Sequence, residues 1–130
     1  MEYLDLIKEA KEAMKNSYSP YSNFAVGAAL LTSKGKIYRG CNIENAAYSA
    51  TNCAERTAIF NAIASGEQSF EAIAVVSSSG KYTYPCGVCR QVIAEFMPQG
   101  KLIFSNEEGE YQILTMEDIL PYSFTQKYLK

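Results

Sequence analysis

The 130-residue chain is predicted to fold as an α/β single domain, with a mixed five-stranded sheet and helices on both faces. Apolar residues at helical spacing begin the chain, two further helical stretches lie in its middle, and short apolar segments typical of strands separate and flank them. This strand-helix-strand alternation implies that part of the sheet is parallel. One domain is expected over residues 1–130, because a chain of this length with 48% hydrophobic residues fills one core and is too short for two ordinary domains.

The first third of the chain predicts a helix followed by a hairpin. Leu4 and the apolar residues that follow it at helical spacing predict an amphipathic helix over residues 2–16, which packs on the sheet. Small apolar residues over 25–31 predict the first strand. A turn that contains Gly35 leads to a second strand over 37–41, so the two strands form a hairpin.

The remaining elements alternate in type. The alanine-rich stretch 53–64 predicts a helix that is buried on most sides and therefore central. An apolar strand is expected at 73–77 and a second central helix at 87–97, which a proline ends. Two short strands are expected at 102–104 and 111–114. The predicted order is α-β-β-α-β-α-β-β.

Charge and composition argue against several classes of partner. The net charge is -2 and no basic cluster is present, so no polymeric nucleic acid is expected to bind. No apolar run approaches the roughly 20 residues that span a bilayer, so no membrane partner is expected. The first residues lack the basic and apolar regions of a secretory signal, and a cytoplasmic location is therefore expected.

The four cysteines point to a metal site. Cys86 and Cys89 have the Cys-x-x-Cys spacing typical of zinc ligands, and Cys53 supplies a third thiol. Three protein ligands leave one tetrahedral position for water, as catalytic Zn²⁺ sites require. All three residues stand at predicted helix starts, where the helix dipole favours thiolates. Cys41 is left over and is expected to be a free, buried thiol.

Glu55 is the predicted proton carrier of this site. It follows Cys53 by two residues, and the chain contains no histidine, so acid-base chemistry falls to a carboxylate. Zinc with three thiolates carries a net charge of about -1, which weakens its ability to acidify a bound water. Arg56 and Arg90 lie next to Glu55 and Cys89, and we expect both to donate hydrogen bonds to the sulfurs and so reduce that charge.

A purely structural zinc site is the alternative interpretation. If Cys41 were a fourth ligand, the metal would only staple the fold and Glu55 would be an ordinary helix residue. The sequence favours the catalytic interpretation, because Cys41 lies on an apolar segment without a second cysteine two or three residues away.

Four sequence blocks occur in order along the chain: Ser22-Asn23-Phe24, Asn42-Ile43-Glu44-Asn45, Cys53-Ala54-Glu55-Arg56-Thr57 and Pro85-Cys86-Gly87-Val88-Cys89-Arg90-Gln91. Together they resemble one known family, the short-chain cytidine deaminases, over essentially the whole chain. A Cys-x-Glu block followed by a Pro-Cys-x-x-Cys block is the signature of zinc-dependent nucleobase deaminases. The three-cysteine version is similar to the homotetrameric branch of the family.

The resemblance implies a fold, a reaction and a set of site residues. It implies a cytidine-deaminase-like domain that hydrolyses cytidine and 2'-deoxycytidine to uridine and 2'-deoxyuridine with release of ammonia, in pyrimidine salvage. Zn²⁺ would be bound by the three cysteines and Glu55 would move protons. A homotetramer is implied, in which Ala46, Tyr48 and Phe124 approach the sites of neighbouring subunits. The implied substrate-binding residues are Phe24, Asn42, Ile43, Glu44, Asn45, Ala46, Ala47, Tyr48, Ala54 and Phe124.

The ribose-binding role of the second block depends on the resemblance. Asn42 and Glu44 have the donors and acceptors that vicinal hydroxyls require, but a solvated turn after a strand explains them equally well. Two positions depart from the family pattern: Tyr84 and Ala47 each stand where serine is common. A bulky Tyr84 could alter access to the site, so the range of substrates stays open.

Three other functions remain as alternatives. The nearest is a deaminase of a cytosine-containing antibiotic nucleoside, against which the intact second block and Arg56 argue. A deaminase that edits RNA or DNA is disfavoured by the acidic composition, with a pI of about 5.2. A zinc-stapled interaction module is the non-enzymatic alternative, and it would hold zinc without an exchangeable water.

Overall fold

A five-stranded sheet lies at the centre of the computed structural model, which describes residues 2–129. The strand order across the sheet is β2-β1-β3-β4-β5, where β3 and β4 are parallel and the other neighbours are antiparallel. The mixed sheet is therefore confirmed. The strands are β1 (Val26–Thr32), β2 (Ile37–Cys41), β3 (Phe70–Ser77), β4 (Lys101–Ser105) and β5 (Tyr111–Leu114).

Helices cover both faces of this sheet, as the sequence predicts. Helix α1 (Tyr3–Met14) packs on one face, while α2 (Ala54–Ala64), α3 (Gly87–Phe96) and α4 (Met116–Ile119) pack on the other. The predicted order is correct as far as β5, but α4 and the two single turns of 3-10 helix at Tyr48–Ala50 and Gln126–Tyr128 were not predicted. None of the helices within residues 2–129 is both long enough and apolar enough to cross a membrane.

The buried face of α1 differs from the predicted one at its start. Leu6, Ile7, Ala10 and Ala13 are buried, whereas Leu4 is 52% exposed. The helix begins only at Tyr3, so Leu4 lies in the first turn and on the side that faces away from the sheet. Including Leu4 in the apolar face was therefore wrong.

The two cores are separated by strands that are buried on both faces. In β1, Ala28 and Leu30 face α2 and α3, while Ala29 and Leu31 face α1. Such a strand reads as a continuous apolar run rather than as an alternating one, and β3 shows the same pattern. The central strands are consequently rigid supports for the segments that follow them.

Glycine allows α2 to lie directly on the sheet. A Cβ atom on Gly40 of β2 would overlap the carbonyl oxygen of Ala54 and the amide nitrogen of Ala58. The N-terminal turn of α2 is therefore placed by direct contact between backbones. This contact fixes the position of Cys53, which directly precedes the helix.

Candidate active site

Three thiols meet where α2 and α3 begin. Cys53 is the residue before α2, Cys86 is the residue before α3, and Cys89 lies in the first turn of α3. Their Sγ atoms all lie within 4.8 Å of one another, and the Sγ atoms of Cys53 and Cys86 are 3.9 Å apart. Two positive helix ends point at this cluster and stabilise negative charge on sulfur.

The sulfur positions fit a zinc ion. Tetrahedral zinc with bonds of about 2.3 Å to sulfur requires its thiolates to lie about 3.8 Å apart, which agrees with the observed 3.9 Å between Cys53 and Cys86. The metal-binding cluster found within residues 2–129 contains three cysteines and does not include Cys41, which lies half-buried at the end of β2. The donor set therefore leaves one tetrahedral position to a non-protein ligand.

The pKa values of Cys53 and Cys89 shift in opposite directions. A hydrogen bond with Cys89 lowers the pKa of Cys53 to about 5, and Arg56 contributes to this effect. The same hydrogen bond raises the pKa of Cys89. A divalent cation bound by all three cysteines would hold each of them as a thiolate, because metal-bound cysteines are deprotonated.

Glu55 is a buried carboxyl beside the cluster. Only 5% of its surface is exposed, although it lies in the first turn of α2. Burial raises the pKa of Glu55 to about 7, and the charge of Cys53 acts in the same direction. A carboxyl group with a pKa near neutral can both accept and donate a proton during one reaction cycle. Ala54, which is fully buried, separates it from Cys53.

The two arginines have different roles. The Nη2 atom of Arg56 donates a hydrogen bond of 3.4 Å to the Sγ atom of Cys53, so the predicted contact of Arg56 with a sulfur is present. Arg90 instead donates to the carbonyl oxygens of Pro85 and Ile119, each at 2.7 Å. The expectation that Arg90 donates to a sulfur was wrong, because two carbonyl groups accept from its side chain instead: that of Pro85, which precedes α3, and that of Ile119, which ends α4 and has no partner within that helix.

Asn42 fixes the chain around the site. Its Oδ1 atom accepts hydrogen bonds from the amide of Val26 at 2.9 Å and the hydroxyl of Ser17 at 2.5 Å, and its Nδ2 atom donates to the carbonyl of Phe24 at 2.7 Å. The side chain is buried. One Nδ2 hydrogen has no partner among these contacts, so Asn42 retains the capacity to donate to one ligand hydroxyl.

Glu44 lines a cavity of about 380 Å³. Its carboxylate accepts hydrogen bonds from the amides of Tyr21 and Ser22, at 2.9 and 3.1 Å, and from the Ser22 hydroxyl. The Ser22 hydroxyl lowers the pKa of Glu44, which is therefore charged at neutral pH. Tyr48 and Thr51 complete the lining. The sequence did not identify Tyr21 or Thr51, and only the position of Tyr21 next to the first block could have indicated it.

The rest of the predicted substrate segment is largely open. Ile43 pairs with Asn52 through two backbone hydrogen bonds of 2.9 Å, and the Oδ1 atom of Asn45 accepts from the amide of Ala47 at 2.8 Å. Ala46 is exposed, as is Tyr48, at 75%. These residues form an accessible strip beside Glu44.

The two candidate phenylalanines occupy different places. Phe24 is 38% exposed, and its backbone carbonyl is held by Asn42. Phe124 is 56% exposed, its carbonyl accepts a hydrogen bond from Gln91 of α3 at 2.8 Å, and its ring stacks on Tyr128. Phe124 does not line the Glu44 cavity of its own chain, and its ring remains available to solvent.

The fold and the metal cluster define a class of zinc-dependent deaminases. A family model described as the cytidine and deoxycytidylate deaminase zinc-binding region matches residues 1–105. The chain therefore belongs to the cytidine and deoxycytidylate deaminase family, as its sequence blocks predict. The cofactor is Zn²⁺, because the family model describes a zinc-binding region and the three cysteines form a cluster that can hold the metal.

Individual relatives match along almost the whole chain. The cytidine deaminase of Sporosarcina psychrophila is 49% identical over 130 residues, which are 99% of this chain and 96% of that protein. The cytidine deaminase of Halalkalibacterium halodurans is 50% identical over 121 residues, 92% of each chain. A crystal structure of cytidine deaminase from Burkholderia pseudomallei superposes with a TM-score of 0.91 at 46% identity and covers 95% of this chain and 100% of that one. These matches confirm the predicted fold.

Proposed function

We propose that this protein is a zinc-dependent cytidine deaminase, which hydrolyses cytidine to uridine and ammonia. The observation that carries the proposal is the three-thiol cluster of Cys53, Cys86 and Cys89 with the buried carboxyl of Glu55 beside it. The cytidine deaminases among its relatives, about half identical over nearly the whole chain, support the same reaction.

Glu55 carries the protons in this proposal. When bound by the three cysteines, zinc supplies a water molecule of lowered pKa that can attack C4 of the cytosine ring. Glu55 accepts the first proton of that water and donates it to N3 of the ring. It then moves the second proton to the exocyclic nitrogen, which leaves as ammonia while C4 becomes a carbonyl carbon. One buried carboxyl with a pKa of about 7 suits both directions of transfer.

Arg56 would help a bound zinc ion to remain a Lewis acid despite its three thiolate ligands. Its hydrogen bond to the Sγ atom of Cys53 withdraws charge from a ligand set that would otherwise give zinc a net charge of about -1. Arg90 supports the cluster differently, because it holds the carbonyl of Pro85 immediately before Cys86. We therefore assign Arg56 an electrostatic role and Arg90 a positional one.

The nucleoside is proposed to bind between the metal cluster and Glu44. Glu44 accepts hydrogen bonds from ribose hydroxyls, for which its charged oxygens have lone pairs beyond those used by Tyr21 and Ser22. Asn42 donates its remaining amide hydrogen, and Phe24 packs on the nucleoside. Ile43, Asn45, Ala47 and Ala54 are proposed to line the same pocket through the backbone. The 3'-hydroxyl is present in both sugars, so 2'-deoxycytidine is also proposed as a substrate.

We propose a homotetramer with shared sites and a cytoplasmic role in pyrimidine salvage. Tyr48 and Phe124 have large exposed rings that do not contribute to their own chain's core, which supports contact with neighbouring subunits through them and Ala46. Cysteines that remain reduced as metal ligands are typical of the cytoplasm. A cavity of about 380 Å³ is of the size that takes one small molecule rather than a polymer.

The test is direct measurement of the reaction. Purified, zinc-replete protein is incubated with cytidine, 2'-deoxycytidine, a cytosine-containing antibiotic nucleoside or a single-stranded oligonucleotide, and deaminated product and ammonia are followed by chromatography. We expect turnover of the first two. Turnover of the antibiotic nucleoside alone would replace cytidine as the substrate, and no turnover at all with one zinc bound per chain would contradict the proposal.

A further inference from the structure

We infer that Tyr84 is a positioning residue for the metal site, which fastens the segment carrying Cys86 to the far edge of the sheet. Its hydroxyl donates a hydrogen bond of 2.6 Å to the Oε1 atom of Gln112 on β5. Its ring packs edge-on against Phe104 on β4, with the ring centroids 5.0 Å apart. The side chain thus bridges two strands that are distant in sequence from the metal ligands. This inference rests on the proposed role of Cys86 as a zinc ligand.

The two contacts of Tyr84 fall on neighbouring points of a rigid surface. Phe104 and Gln112 stand directly opposite each other in the antiparallel pair of β4 and β5. Phe104 is fully buried in the core beneath α3. Tyr84 is 44% exposed, but its ring rests on one of these residues and its hydroxyl bonds the other, so the two contacts together restrict the side chain. Because Tyr84 precedes Cys86 by only two residues, its position limits where that sulfur can lie.

Other residues of the same segment are held elsewhere. Tyr82 packs against the core, the hydroxyl of Thr83 lies 2.5 Å from that of Ser77 at the end of β3, and the carbonyl of Pro85 accepts from Arg90 at 2.7 Å. These contacts tie the segment to β3 and α3. Tyr84 supplies its link to β4 and β5, so the approach to Cys86 is held from both sides of the parallel pair.

Cys86 is the ligand that depends most on this support. Cys89 is fully buried and Cys53 is fixed where α2 lies on Gly40, but Cys86 is exposed. As with Cys53 at α2, its own side chain makes no hydrogen bond that caps α3, so exposure is what distinguishes Cys86. Outer contacts that orient metal ligands typically change metal affinity 10- to 100-fold, so loss of the Tyr84 tether should be visible in zinc retention.

The occupied side chain also answers a question raised by the sequence. A tyrosine at position 84 could have reduced access to the site, but its ring and hydroxyl are both engaged with β4 and β5. Its effect is therefore on the geometry of the ligand segment.

The experiment compares two tyrosine-to-phenylalanine variants of the zinc-loaded protein. Tyr84→Phe removes the bond to Gln112, and Tyr38→Phe removes a similar bond, from the Tyr38 hydroxyl to Glu67 at 2.8 Å, which lies away from the metal ligands. Zinc release to excess chelator is followed with a metal indicator, and the midpoint of urea unfolding is measured in parallel. We expect release to be about tenfold faster in Tyr84→Phe and unchanged in Tyr38→Phe, with similar small shifts of the midpoint.

A second variant removes the same hydrogen bond by replacing its acceptor, Gln112. Gln112→Leu should accelerate zinc release as Tyr84→Phe does, and the double variant should release zinc no faster than either single one, because all three lack the same hydrogen bond. Wild-type release rates in both single variants, equal acceleration in Tyr38→Phe, or fully additive effects in the double variant would each overturn the inference. Zinc release is measured without substrate, so failure here is distinguishable from absence of cytidine deamination.

Discussion

Glu55 combines burial with a pKa near neutrality, and its substitution is the sharpest test of the mechanism. Glu55→Gln keeps the size of the side chain but removes its ability to carry a proton. General acid-base catalysis contributes about 10²- to 10⁴-fold, so we expect kcat to fall at least about 100-fold while one zinc per chain is retained. Uridine formation and metal content by elemental analysis are the measurements.

The matched control for this change is Glu71→Gln, which alters an exposed carboxylate on β3. It should change neither kcat nor zinc content. A near-normal rate in Glu55→Gln would remove Glu55 from the proton transfers. Loss of zinc in that variant would instead show that the carboxyl supports the metal ligands themselves.

Arg56 tests charge compensation at the thiolates. Arg56→Gln loses the hydrogen bond to the Sγ atom of Cys53, and we expect zinc affinity to fall about 10- to 100-fold, with a lower kcat in the zinc-saturated enzyme. Chelator competition gives the affinity. Arg39→Gln is the control, because Arg39 forms a partly exposed ion pair with Glu9 at 2.9 Å. Unchanged affinity and turnover in Arg56→Gln would refute the electrostatic role.

At the residue scale, the sequence could predict which residues form the site better than it could predict which partners their side chains contact. The spacing of Cys53, Cys86 and Cys89 identified the cluster, because residues that open two neighbouring helices are brought together by the fold. The partners of Arg90 could not be read in this way. They depend on its rotamer and on Ile119, a residue from an unpredicted helix. Likewise, the contact of Tyr84 with Gln112 joins residues 28 positions apart.

At the scale of the elements, substitutions of two glycines can separate the effect of helix placement on zinc retention from its effect on the stability of the fold. Gly40 lies against the first turn of α2, and Gly27 lies equally close to α1 on the opposite face, against Ala10 and Met14. Alanine at either position forces helix and sheet apart and should cost about 1–3 kcal/mol or more in the free energy of unfolding. Only Gly40→Ala should also weaken zinc retention, because α2 directly follows a metal ligand and α1 does not.

Urea unfolding and zinc content measured on both glycine variants check this prediction. The expected pattern is similar destabilisation in the two, with zinc lost more readily from Gly40→Ala alone. If Gly27→Ala lost zinc to the same extent, the site would depend on overall stability rather than on the placement of α2. Zinc retention at the wild-type level in both variants would show that Cys53 is positioned without the contact between α2 and β2.

The elements that the sequence could predict are those with long apolar patterns. The strands and the three longer helices match the predicted spans within about three residues, because periodic burial determines them. Helix α4 has four residues and no periodicity to detect. Its only local signal is a capping box, in which Thr115 and Asp118 bond each other's backbone amides. The two 3-10 turns have three residues each, which is too short for a periodic pattern in the sequence.

At the scale of the whole molecule, the proposed nucleoside site is bordered by exposed residues in a single chain. The cavity beside Glu44 is bordered by exposed Tyr48, and Phe124 presents a solvent-exposed ring elsewhere on the chain. The proposed tetramer explains both features. A neighbouring subunit would cover the exposed strip beside Glu44, and the Phe124 ring of this chain would reach the site of a neighbouring subunit. Sequence patterns specify such exposed aromatic residues but not their partners, because the contacting surfaces belong to different chains.

Shared sites predict recovery of activity in mixed assemblies. Glu55→Gln and Phe124→Ala chains, carrying different affinity tags, are co-expressed and the hybrids purified through both tags. Light scattering should give about 58 kDa, four times the 14.4 kDa of one chain. Each variant alone should have low kcat/KM for cytidine. In the hybrid, some sites combine Glu55 of one chain with Phe124 of another, so its kcat/KM should exceed that of either parent assembly.

The alternative arrangement gives a different result in the same experiment. If Phe124 acted at the site of its own chain, every hybrid site would lack either the proton carrier or the ring, and kcat/KM would stay between the values of the parents. The control is a chain that carries both substitutions, co-expressed with Glu55→Gln, in which no site contains Glu55. It should stay inactive in either arrangement, so recovery specific to the first hybrid reports a ring donated between subunits. A mass of one chain with full activity would contradict the assembly itself.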